Sequence, residues 1–78
     1  MKLWLLRPIE GTECWEPWYD KCFGMVVRAR TELEARSIAA KNAGDERMIA
    51  WLNKENSTCV ELTQKGKAEL VIQDIHAA

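Results

Sequence analysis

An α+β domain, with one helix packed on a mostly antiparallel sheet of about four strands in two layers, is the fold this sequence predicts. Three observations predict it. Short apolar runs with period-two alternation flank a single capped stretch with three-and-four spacing, and the chain has only 78 residues. That length holds one domain, residues 1–78, near the size at which a single core is barely sufficient. Its 47% hydrophobic and 29% charged residues are those of a globular chain rather than a disordered one. Four tryptophans add buried area that so small a core otherwise lacks. Trp4 and Trp51 are the pair expected inside.

The elements follow in the order strand, strand, helix, strand, strand. Residues 2–7 form a first strand, apolar on both faces and ended by Pro8, which cannot donate to a ladder. Residues 8–22 read as a long loop punctuated by Gly11 and Pro17. In residues 23–30, Phe23, Met25, Val27 and Ala29 alternate with Arg28 and Arg30, which mark the opposite face of a second strand. Thr31-Glu32-Leu33-Glu34 then has the form of a capping box, with both acids at the positive end of the helix dipole. Ala35, Ile38, Ala39 and Asn42 fall on one stripe; Leu33 and Ala40 turn away from it, core if the stripe is wide and surface contacts if it is narrow, with core or rim favoured, and Gly44 is the expected stop.

Residues 48–52 fit either a helical turn or an extended crossing that brings Trp51 beneath the helix. Residues 58–63 predict a third strand, Val60 and Leu62 on one face and Cys59 and Glu61 on the other. A turn at 64–67 then leads to a fourth strand, 68–75, forming a hairpin with the third. The sheet's outer face, with Trp4 or Leu6, Val26 and Cys59, carries more apolar material than water favours. It calls for a cover, either the long loop, a second copy or a partner.

That loop holds the sequence's most distinctive segment. Trp15, Trp18 and Tyr19 stand around Pro17, and residues 8–20 contain Glu10, Glu13, Glu16 and Asp20 with no base. Flat, stiff rings beside carboxylates suit contact with a basic surface on another macromolecule. Trp15, Glu16, Trp18, Tyr19 and Asp20 are therefore the candidate partner-binding residues, with Glu13, Arg28, Arg30 and Arg36 as secondary contacts.

Other functions find less support. The net charge of −1 and pI near 5.8 fit neither a nucleic-acid binder nor a strongly acidic mimic of DNA. Arg28 and Arg30 could serve an RNA- or single-strand-binding face, yet pairing with Glu61, Glu69 or Asp74 across strands accounts for them better. Three cysteines without CxxC spacing argue against a disulfide framework and a zinc ribbon, so no metal or other cofactor is expected. The single histidine, His76, lies too near the C-terminus for an oriented base, and no glycine-rich phosphate loop exists. The chain is read as a non-enzyme. Its first apolar run is too short for a leader or membrane span, and a cytoplasmic location is expected.

Taken whole, a helix-on-sheet domain with contact machinery and no catalytic equipment is similar to small phage and mobile-element proteins. More narrowly, it resembles the type I anti-CRISPR proteins, several of which are compact single-helix α+β domains. The unit Val26-Val27-Arg28-Ala29-Arg30-Thr31-Glu32-Leu33-Glu34-Ala35-Arg36-Ser37-Ile38-Ala39 carries the strand–helix part of that likeness. The resemblance implies an inhibitor that binds a basic, nucleic-acid-handling surface of a Cascade-type complex and blocks target DNA. The near-neutral charge departs from acidic DNA-mimic inhibitors, which leaves steric occlusion with a local acidic patch as the mechanism. A homo-oligomeric structural or regulatory protein, a homodimer among the possibilities, is the alternative from the residues alone.

Overall fold

A run that is apolar on both faces belongs at the centre of a sheet, and the amino-terminal strand takes that place. The computed structural model describes residues 1–9, 11, 24–44 and 47–73. β1 (Lys2–Pro8) lies between β2 (Met25–Ala29) and β3 (Ser57–Leu62), antiparallel to both. Trp4 stands opposite Val27 and Glu61, and Leu6 opposite Met25 and Cys59. Because side chains alternate across a strand, this register puts Trp4, Leu6, Met25, Val27, Ala29 and Cys59 on one face.

Both helices, α1 (Glu32–Lys41) and α2 (Arg47–Leu52), cover that face. The α+β class is as the sequence predicts, with two corrections: a second helix is present, and among the described residues no fourth strand is seen. Leu6, Cys59 and Trp4 point inward, whereas the outward set is Leu3, Leu5, Val26, Val60 and Leu62.

The start of α1 is built as its sequence suggests. Thr31 is extended (φ −136°), and its Oγ1 accepts from the Glu34 N–H at 3.2 Å. Glu34 reaches back to the N–H of Arg30 at 2.9 Å, one residue before the cap. At the other end the helix tightens, with Asn42 N–H donating to Ala39 O at 3.0 Å and Ala43 N–H to Ala40 O at 3.3 Å. It stops at Asn42, ahead of Gly44.

The buried stripe is Ala35, Arg36, Ala39 and Ala40, rotated from the expected one. Ile38 is at the surface and Leu33 is 74% exposed. The alanines let the helix axis approach the sheet closely. Of the buried α1 residues only Arg36 has a long side chain, and it enters where backbone carbonyls await it.

α2 supplies the core's largest member. Trp51 is fully buried with Leu6, Ala50 and the α1 alanines, beneath the helix as expected. The Asn53 N–H donates to Ile49 O at 3.1 Å, and the Asn53 side chain accepts from Glu55 N–H at 2.8 Å. That turn delivers the chain into β3.

Beyond Leu62 the chain leaves the sheet plane. A strand paired to β3 would keep residue 72 on the β3 side, yet Ile72 packs on Gly24 next to β2, two strands away. Residues 63–67 and 69–71 border a cleft of about 340 Å³ with Leu5 and Arg7, and Leu5 is buried although it faces outward. The arm therefore crosses the outer face instead of extending the sheet. Asp74 and Ile75, the end of the expected fourth strand, lie outside the described residues.

Ile72 occupies the space where a side chain at Gly24 would begin. We expect Gly24→Val to displace the arm at a cost of about 1–3 kcal/mol. Limited trypsin digestion should then cut faster at Lys65 and Lys67 while far-UV circular dichroism keeps its helical signal. Unchanged cleavage would show that Ile72 does not hold the arm.

Candidate functional site

Of the candidate contact residues, Glu13, Trp15, Glu16, Trp18, Tyr19 and Asp20 lie outside the described residues. Arg28 and Arg30 are exposed, as a surface role requires. Neither is paired with Glu61 or Glu69; for Glu61 the reason is strand order, since β1 separates β2 from β3. Glu61 instead pairs with Lys2 at 3.4 Å, and the Lys2 ammonium sits 6.0 Å from the centre of the Trp4 ring. The Trp4 indole N–H donates to Ala29 O at 3.1 Å, tying β1 to β2 by a side chain as well as a ladder.

Arg36 is not a surface contact. It is only 6% exposed, and each of its three guanidinium nitrogens donates a hydrogen bond. Nη1 donates to Trp51 O and to Ser57 Oγ, both at 2.9 Å, and Nη2 donates to Ser57 O at 3.0 Å. Nε donates to Glu32 Oε2 at 2.9 Å, one turn back on α1. A buried charge is tolerated only when its donors are filled, and the planar fork of arginine fills them in one rigid step. It also caps the negative end of α2 at Trp51. Glu32 four residues before an arginine amid alanines was the available signal, but nothing in the spacing pointed to Ser57.

The surface above this clamp is a shallow apolar notch. Leu33 from α1 and Leu52 from α2 flank it, Arg36 floors it, and Glu32 and Lys54 stand at its border. Leu33 is 74% exposed and Leu52 41%, with Met48 and Ile49 also exposed on α2. Sequence reasoning placed Leu33 in the core or at its rim and so missed this patch. Large side chains shown to water on two adjoining helices are typical of contact surfaces. The outer sheet face adds exposed Val26 and Val60.

Cys59 sits half-buried against the core. Burial raises its thiol pKa above the usual 9.0; the Arg36 charge opposes this weakly, and Glu32 adds to it. The thiol is thereby kept protonated and poorly nucleophilic. Among the described residues, no group of three or more His, Cys, Asp or Glu could hold a metal ion. No described helix is long and apolar enough to cross a membrane.

Two outcomes follow for these groups. Arg36→Ala removes the short donors to Trp51 O, Ser57 Oγ and Ser57 O, leaving Trp51 O with a longer bond from Ser57 Oγ at 3.4 Å, and we expect a loss of about 3–5 kcal/mol in chemical denaturation. Arg36→Lys should recover only part of it, since an ammonium cannot span those acceptors. Glu32→Gln should cost no more than about 1 kcal/mol, because Glu32 is half exposed. Equal losses for Arg36→Ala and Glu32→Gln would refute the clamp.

For Cys59 the folded pKa lies above the unfolded one. Its contribution is therefore intact below the unfolded value and disappears as pH rises through the folded one. In a Cys14→Ser, Cys22→Ser background, unfolding free energy should fall above about pH 9, and Cys59→Val should flatten that fall. A disulfide reagent at pH 8 should label Cys59 more slowly in the native than in the unfolded chain.

In comparisons with protein-family models, with curated proteins and with solved structures, the chain matches none.

Proposed function

We propose that the chain is a non-catalytic inhibitor that docks on a protein partner and acts by occupying its surface. The partner proposed is a Cascade-type CRISPR effector complex, and the outcome of docking is loss of target DNA binding. The observation that carries this reading is the apolar notch between exposed Leu33 and Leu52, over two helices bridged by Arg36, with Met48 and Ile49 also exposed on α2. It offers anchors of the kind that dominate protein–protein contacts, ringed by Glu32 and Lys54. The acidic, aromatic composition of residues 13–20 supports it further, by complementing a basic surface that handles nucleic acid. The identification of the complex itself rests on the resemblance of the strand–helix plan to type I anti-CRISPR proteins.

The outer sheet face favours a second reading, a homo-oligomer, because Leu3, Val26 and Val60 expose apolar surface on neighbouring strands. Sedimentation at micromolar concentration separates the two, since a strict monomer removes the second.

The inhibitor reading is tested by adding the purified chain to a purified type I effector complex and measuring binding of target duplex. Stoichiometric loss of DNA binding is expected. Leu33→Asp with Leu52→Asp should weaken the effect by at least about tenfold, as should Trp18→Ala with Glu16→Ala, with the thermal transition kept in both. Undiminished DNA binding at saturating wild-type chain would overturn the proposal for that complex.

A further inference from the structure

Among the described residues β2 is an edge strand: its ladder partner is β1 alone, and none of them pairs with its far side. Beside that edge runs α1, and the two enclose a groove of about 440 Å³. Met25, Val26, Val27 and Arg28 form its strand side, and Ile38 and Ala39 its helix wall. The five residues of β2 span about 17 Å, enough for a short extended segment to pair along them.

Charge identifies the occupant. Among the described residues Arg28 is the only formally charged one lining the groove, and Arg30 stands exposed just past the strand's end. Neither guanidinium has a partner among the described residues. The nearest acids in sequence are already engaged, Glu32 by Arg36 and Glu34 by the Arg30 amide. An incoming strand with carboxylates would find free cations; one with lysines would not. A second copy is less well suited, because a two-fold pairing of β2 with itself brings the two Arg28 side chains onto the same face of one sheet.

We propose that the edge of β2 left unpaired by the described residues and the α1 wall beside it form a docking groove for an extended acidic peptide strand of a partner protein. The strand adds to the sheet through main-chain hydrogen bonds, and Arg28 and Arg30 select its charge. The groove is separate from the Leu33–Leu52 patch and does not depend on the inhibitor reading.

The test titrates the isotopically labelled full chain with three blocked heptapeptides, followed by amide chemical shifts. The first is Thr-Glu-Val-Glu-Val-Glu-Thr, the second has Lys in place of Glu, and the third has Pro at the central Glu. The acidic peptide should shift the amides of residues 25–29 with a dissociation constant below about 1 mM. The lysine and proline versions should bind at least about tenfold more weakly, through charge and through the missing ladder donor. Arg28→Glu should invert the acid-over-base preference and Arg30→Glu should reduce it, with helix content unchanged for these exposed positions. The proposal is overturned if residues 25–29 do not respond or if the acidic and basic peptides bind alike. It is equally overturned if those amides shift with protein concentration alone, which would assign the edge to a second copy.

Discussion

The Arg36 clamp is the interaction on which the rest of this small domain depends. Five alanines dominate the buried set, and they contribute close approach more than hydrophobic area. What joins the layers is one guanidinium that touches α1 through Glu32, the end of α2 through Trp51 O, and the start of β3 through Ser57. Three elements distant in sequence share a single set of directional bonds. Such a network is demanding, because each bond requires the others to be in place. The described residues meet that demand, for no buried side-chain nitrogen or oxygen among them lacks a partner.

The two faces of the sheet are managed differently. The inner face is closed by α1 and α2 around Trp51 and Leu6. On the outer face, the arm of residues 63–73 shields Leu5 and reaches Gly24, but leaves Val26 and Val60 in water. Three surfaces result, with different chemistry: an apolar patch over the helices, a partly covered apolar sheet face, and a cationic edge along β2. The apolar patch lies directly over the clamp, with Arg36 and Glu32 in its lining, whereas Arg28 on the β2 edge and Val26 and Val60 on the sheet face take no part in it.

Local signals in the sequence were legible where they were self-contained. Thr31 and Glu34 cap α1 through bonds spanning a few residues, and the alternation around Val27 and Ala29 named the inner face of β2. Trp51 was placed inside because no short chain can spare that area. Other features required partners that the sequence does not specify. The α1 stripe turned because Arg36 satisfied its donors on carbonyls 15 and 21 residues away. The expected hairpin after Leu62 failed because Ile72 had a better berth on Gly24 than a place beside β3. The expected pairing of Arg28 or Arg30 with Glu61 failed because β1, not β2, neighbours β3. At the site, the exposure of Arg28 and Arg30 was readable from alternation, whereas the Leu33–Leu52 notch appears only once two helices meet.

That notch has a consequence in the kinetics of recognition. Its two walls belong to different helices, yet the same arginine that floors it holds both in register. A visiting surface meets leucines already set at their final spacing and freezes little backbone motion on arrival. Complexes formed this way should lock without a slow rearrangement step, and differences between related partners would be expressed in how long each stays rather than how fast it arrives.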